Sequence, residues 1–287
     1  MKKIIIDCDN TFGVEGCDLD DGLAIIYALG TEQCELLGVT TTFGNNTLEV
    51  IYPNTIEFMK NIGMATVPVL AGHATDAQQN EAARFLVETA NSFPGEVAIL
   101  AVGSMTNLYH AWLIDPDFFE KIPQISLMGG ITEPLIINGK QLNELNFACN
   151  HVASYHVLTK GKSIKIATGN LCLDALFTKD RFDQLAQSDL PFLHWLNEQG
   201  QYWFRREKGV FGHDGIYKWD VYAAAALIFP EMFQENIVEI SPDLQSMTTG
   251  MLLGQGEKVK VDLPILKNSE AYIEHVYECY TRFANKS

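Results

Sequence analysis

The chain has 287 residues, 47% of them apolar, and a formal net charge of −16 from 36 acidic and 20 basic residues. That apolar content supplies a sizeable core and excludes a disordered chain. No block of Lys and Arg breaks the acidic balance, which excludes a nucleic-acid polymer as ligand, and no run reaches the ~18 apolar residues of a membrane span.

In chain order, Lys3–Asp7 reads as a buried strand and Asp21–Leu29 as a helix. Leu36–Thr41 is the next strand, followed by a helix over Thr47–Ile62 in which Pro53 is expected to cause a kink or a split. Val67–Leu70 then pairs with a helix over Asn80–Ser92, Val97–Ala101 with one over Asn107–Asp115, and Ile125–Met128 with one over Cys149–Thr159. Ile164–Ala167 is the last strand predicted. Several of these strands lack in/out alternation, as strands covered on both faces do.

The C-terminal third reads as more helical, with helices at Leu190–Arg206, Val221–Leu227 and Glu270–Phe283. In the last, Ile273, Val276, Tyr277, Tyr280 and Phe283 form one apolar stripe, and Ser269 is the expected N-cap. Gly209, Gly212 and Gly215 mark Glu207–Trp219 as a flexible loop. The whole pattern predicts one α/β domain over 1–287. Its sheet is open, mainly parallel and doubly wound, with helices on both faces. Ligands of such sheets collect at the carboxyl ends of the strands.

The six cysteines show no CxxC spacing and read as free thiols of a reducing cytosol. Ile4-Ile5-Ile6 is too short for a signal peptide, so a cytoplasmic protein is expected.

The chemistry is carried by acids. Asp7 and Asp9 end the first strand, Asp20 and Asp21 open the first helix, and Asp220 heads the apolar run Val221–Leu227. Carboxylates crowded at a strand mouth repel one another unless a cation or a proton intervenes, and oxygen donors suit a hard ion. Helix capping accounts for Asp20 or Asp21 alone but not for the pair on the strand. Asn45, after Thr40-Thr41-Thr42-Phe43-Gly44, is either a ligand-facing amide or an ordinary turn residue. Thr106, in Gly103-Ser104-Met105-Thr106-Asn107, either caps a helix or turns its carbonyl to the ion. Asn138, Glu144 and Asn146 form a polar group suited to a polyol, or are surface-loop polarity.

Taken together, DCD…DDGLA, TTFGNNTLE, GSMTNL, LMGG, N-x5-ELNF and WD-x-YAAAALIFP, in this order from Ile4 to Phe283, resemble the inosine–uridine-preferring nucleoside hydrolases. The resemblance implies hydrolysis of the N-glycosidic bond of a small nucleoside by a Ca²⁺-bound water, in a homodimer or homotetramer. It implies Asp9 as general base and ligand, Asp21 and Asp220 as calcium ligands, and the Thr106 carbonyl as the last protein ligand. Asp20 would bind the ribose 2′-hydroxyl, while Asn45, Asn138, Glu144 and Asn146 would clamp the sugar and Asp7 would support the others from behind.

Two departures from the family stand out. The usual DxDPGxDD turn is replaced by a longer loop, Asn10–Leu19, from which Glu15 or Asp18 can join the site. Where many members carry His before the distal Asp, this chain has Trp219, able to stack on a base but not to protonate it. His213 and His73 are the substitute proton donors. Tyr202, Trp203, Phe211 and Tyr217 either flank the base or pack the core. A competing reading takes Ile4–Thr11 as the hhhDxDxT motif of haloacid-dehalogenase-like phosphatases, with Asp7 as nucleophile, Asp9 as acid/base and Mg²⁺ as cofactor. A third is a calcium-dependent nucleoside or ribose binder without turnover.

Overall fold

The computed structural model describes residues 1–286, and an eight-stranded sheet runs through its centre. The strands are β1 (Lys2–Cys8), β2 (Cys34–Thr41), β3 (Val69–Ala71), β4 (Val97–Ala101), β5 (Ile125–Met128), β6 (Ile164–Ala167), β7 (Ile237–Ile240) and β8 (Val259–Asp262). Their spatial order is β7-β8-β6-β5-β4-β1-β2-β3. Every neighbouring pair is parallel except β7 with β8. The main helices are α1 (Asp20–Leu29), α2 (Leu48–Asn61), α3 (Glu81–Ser92), α4 (Thr106–Ile114), α5 (His151–Lys160), α6 (Pro191–Phe211), α7 (Trp219–Ile228) and α8 (Ser269–Ala284).

The alternation of β1 divides the core. Ile4, Ile6 and Cys8 pack with α1, α2, α6, α7 and α8 on one face of the sheet. Ile5 points to the other face, among residues of α3, α4 and α5. Helices thus cover both faces, which is why the central strands carry apolar residues at successive positions. No described helix is long and apolar enough to cross a membrane, and the six cysteines are all free.

All six predicted strands are present, with Val67–Leu70 displaced to Val69–Ala71. The marginal strands β7 and β8 were not predicted from sequence. Each has only four residues and leaves part of its length open to solvent, so neither carries a continuous apolar run. Pro53 does not split α2: its missing N–H costs one bond, to the carbonyl of Glu49, an exposed residue of the first turn. Asn268, not Ser269, caps α8, its side chain accepting from the Ala271 N–H at 3.0 Å.

The expected flexible loop over Glu207–Trp219 is largely regular structure. Helix α6 continues to Phe211, passing through Gly209, and stops where Gly212 takes a left-handed conformation at φ 78°. Gly215–Tyr217 then pairs antiparallel with Leu176–Thr178, and Trp219 already belongs to α7.

Candidate active site

The strands β1, β2, β4, β5 and β6 end beneath a cavity of about 430 Å³. Residues just past those ends (Asn45, Val102 and Gly169) reach it, with Met128 at the end of β5. Asp18 and Asp20 enter from the start of α1, and Trp219 and Asp220 from the start of α7. Helix α6 and the segment Leu135–Asn146 close the outer side.

Behind this lining lie Asp9 and Asp21, both inaccessible to solvent. The Asp9 N–H donates to Asp21 Oδ1 at 3.0 Å, and Asp9 Oδ2 accepts from the Asn45 N–H at 2.5 Å. The remaining oxygens, Asp9 Oδ1 and Asp21 Oδ2, are buried and have no hydrogen-bond partner. Carboxylate oxygens of Asp18, Asp20 and Asp21 lie within 4.8 Å of one another. The Asp220 N–H donates to Asp20 Oδ2 at 3.4 Å. Two glycines let the chain approach Asp9: a Cβ on Gly44 would stand 2.2 Å from its Oδ2, and one on Gly103 2.9 Å from its Oδ1.

Burial is the first reason that these acids resist ionisation, and their mutual repulsion is the next for most of them. Asp9 is pushed up to about 7, by burial and then by Asp18. Asp18 is pushed up to about 6 by burial, against the pull of its hydrogen bonds and of Arg206. Burial and the neighbouring carboxylates raise Asp20, Asp21 and Asp220 well above the ordinary range. Such a group is costly without a compensating cation, and the oxygen-only donor set with its orphaned oxygens fits a hard divalent ion.

The other expected residues divide. Glu144, Asn146 and Trp219 line the cavity with Asp20, Asn45 and Asp220. Glu144 is tied down by the N–H groups of Gly130, Phe147 and Ala148 at 2.9–3.1 Å. The Asn146 amide donates to the carbonyls of Val102 and Met128, at 2.9 and 3.1 Å. Thr106 is buried at the start of α4, its hydroxyl between those of Ser104 (2.9 Å) and the Asn150 amide (2.8 Å).

Asn138, His73 and His213 do not line the cavity. Asn138 turns the short hairpin Ile136–Gln141 at φ 47° and donates to the Phe211 carbonyl at 2.9 Å, fastening that hairpin to the end of α6. His73 Nδ1 accepts from the N–H groups of Thr75 and Asp76 in a turn after β3. His213 stacks on Phe211, ring centroids 6.0 Å apart, and meets Tyr217 edge-on.

Asp7 is fully buried, and its Oδ1 accepts from the Thr40 hydroxyl (2.5 Å) and the Asn107 amide (2.7 Å). Burial pushes it up to about 7. Asp7 does not line the cavity, and both partners of its Oδ1 are structural groups, so nothing presents it as the nucleophile that the phosphatase reading needs.

Sequence reasoning missed the polar part of the outer wall. Arg206 and Glu207 of α6 line the cavity beside Val210 and beside Trp203 and Phe211, the two of the four aromatics weighed for the base that reach it. Arg206 lies over the Trp203 ring at 4.4 Å and pairs with buried Glu207 at 2.8 Å. Their spacing of i, i+3, i+4, i+7 and i+8 is that of one helix face, a signal hidden by ending the predicted helix at Arg206.

The family model of the inosine-uridine preferring nucleoside hydrolases matches residues 4–274. The chain belongs to this family. It is therefore an enzyme that hydrolyses nucleosides, and the resemblance in the motifs holds across the chain. Among curated relatives of this nucleoside hydrolase, a probable uridine nucleosidase 1 of Oryza sativa subsp. japonica is 28% identical over 89% of this chain and 86% of its own. The inosine-uridine preferring nucleoside hydrolase of Crithidia fasciculata is 23% identical, over 92% and 84%. In fold, the chain is similar to a purine-preferring ribonucleoside hydrolase from Gardnerella vaginalis, with a TM-score of 0.85, 20% identity and complete coverage of both chains.

Proposed function

We propose that this nucleoside hydrolase cleaves ribonucleosides to free base and ribose with Asp9 as the general base and Ca²⁺ as its cation. The observation that carries the reading is the pair of buried, unpartnered oxygens, Asp9 Oδ1 and Asp21 Oδ2, directly behind an aromatic-walled cavity. Asp9, Asp21, Asp220 and the Thr106 carbonyl are the residues to hold the ion, which when bound supplies a hard Lewis acid that acidifies a water and anchors sugar hydroxyls.

The chain's own groups then do the following. Asp9 takes the proton of the attacking water. Asp20 accepts from a ribose hydroxyl. The Asn146 NH₂ is committed to two backbone carbonyls, which leaves its Oδ1 for a hydroxyl. The carboxylates stabilise the positive charge that develops on the sugar ring as the glycosidic bond breaks. The base lies against Trp219 and the α6 aromatics. Because His213 and His73 lie off the cavity, the departing base meets Arg206 and Lys140, whose charges stabilise its negative charge.

Assay of base release from inosine and uridine, beside phosphate release from a phosphomonoester, tests this. Base release that stops on chelation and returns with Ca²⁺ is expected. Phosphate release without base release overturns the proposal.

A further inference from the structure

The loop Asn10–Leu19, longer than the family's turn, is built into the fold. Asn10, Thr11 and Phe12 are buried, and the Phe12 ring stacks on Trp195 of α6 with centroids 5.4 Å apart. The Asn54 amide holds the carbonyls of Asn10 (3.1 Å) and Phe12 (3.3 Å). The Tyr202 hydroxyl donates to the carbonyls of Val14 and Cys17. The loop is thus fixed between α2 and α6, and its end delivers Asp18 to the cavity.

Asp18 Oδ1 accepts from the Asn45 Nδ2 at 2.9 Å. Asn45 is held a second time through its backbone, whose N–H donates to Asp9 Oδ2. A side-chain amide has one donor end and one acceptor end, and a carboxylate only accepts. Asp18 therefore selects one of the two flips of Asn45. One N–H of the NH₂ is engaged by Asp18, and Oδ1 is left as an acceptor on a residue of the cavity wall.

We propose that Asp18 is a positioning residue that holds Asn45 with its carbonyl oxygen presented to a hydroxyl of the sugar. The proposal rests on the nucleoside reading above and deepens it. Asp18 acts through Asn45, and the inserted loop exists at this site to carry it.

The test is a double-mutant cycle on base release, with D18A, N45A, D18A/N45A and D18N measured beside the wild type. Losing one oriented hydrogen bond raises KM by about tenfold in D18A, with a smaller change in kcat. In the N45A background, D18A adds less than about twofold. D18N keeps a carbonyl that can accept from Asn45 Nδ2, so it recovers to within about threefold of wild type. Ca²⁺ affinity measured by calorimetry stays within about threefold in D18N. Removing a carboxylate from a crowded set relieves repulsion, so the variants are expected to fold, and thermal melts check this. Additive losses in the cycle overturn the proposal, as does D18N being as impaired as D18A. A tenfold or larger loss of Ca²⁺ affinity in D18N makes Asp18 a ligand of the ion and also overturns it. A wild type that releases no base from any nucleoside overturns the reading beneath it, whereas an active wild type with additive losses overturns only the role of Asp18.

Discussion

The backbone N–H of Asp9 donates to the carboxylate of Asp21 at 3.0 Å, which ties the end of β1 to the first turn of α1 across ten intervening loop residues and leaves one oxygen of each acid unpartnered. Because the bond uses the Asp9 main chain, its side chain can be changed without losing the tie. Asp9→Asn preserves shape and still accepts from the Asn45 N–H, but it cannot take a proton from water. We expect kcat for base release to fall by about 10²–10⁴, the range for loss of a general base, while nucleoside affinity changes only a few-fold. Steady-state kinetics with equilibrium binding checks this, and unchanged kcat removes Asp9 as the base.

Acidity and metal affinity are linked through the same cluster. Asp9, ordinarily near 3.8, is pushed to about 7 in the fold, and Asp20, Asp21 and Asp220 are raised well above the ordinary range. Between about pH 4 and 7 the folded metal-free protein holds more protons than the unfolded chain, so its stability falls as pH rises through that window. The proposed Ca²⁺ would bind the ionised form and compete with those protons. Its affinity is expected to rise with pH through about 7, and its effect on Tm to be larger at pH 8 than at pH 5. Melting curves with Ca²⁺ and with chelator at both pH values decide it; an equal Tm gain contradicts the cluster as the site.

Close approach of backbone to Asp9 is a second dependence. A Cβ on Gly44 would stand 2.2 Å from Asp9 Oδ2, which forces the carboxylate or the Asn45 N–H away. Gly44→Ala is expected to lower kcat by about 10², the cost of displacing a catalytic group by about 1 Å. Gly209→Ala is the control: nothing lies within 4 Å of the added methyl, and the residue is helical. It should leave activity unchanged and stabilise by about 0.5–1 kcal/mol.

What could be read from sequence follows from what each residue's neighbours supply. The central strands are apolar on both faces, so β1, β2, β4, β5 and β6 were legible, and with them Asp9, Asn45 and the other groups at their ends. Asp20 and Asp21 stood out because they follow the acids that end β1, a crowding that helix capping does not account for, and Asp220 because it heads an otherwise apolar run. The misreadings arose where tertiary contacts override local signals. Glycines at 209, 212 and 215 suggested a mobile loop, yet they serve a helix interior, a C-cap and a strand. His213 looked like a proton donor by type alone, but stacking on Phe211 sets it behind the cavity wall. Asp18 was one of two loop acids with nothing in the sequence to separate it from Glu15; only the anchoring of Phe12 and Tyr202 brings it to Asn45.

Trp219 offers the last prediction. It stands at the first position of α7, next to Asp220, lines the cavity and meets Tyr217 at 5.2 Å between ring centroids. If the base stacks on it, Trp219→Ala removes about 1–3 kcal/mol of stacking, and KM rises by about 5- to 150-fold. Trp219→Phe keeps an aromatic face and should stay within about fivefold of wild type. The same substitutions could act instead by moving Asp220, and Ca²⁺ affinity separates the two routes. Stacking predicts an unchanged affinity in both variants, because the ion's ligands do not include the indole. A matched fall in Ca²⁺ affinity and activity in Trp219→Ala would assign the residue to holding α7 rather than to the base.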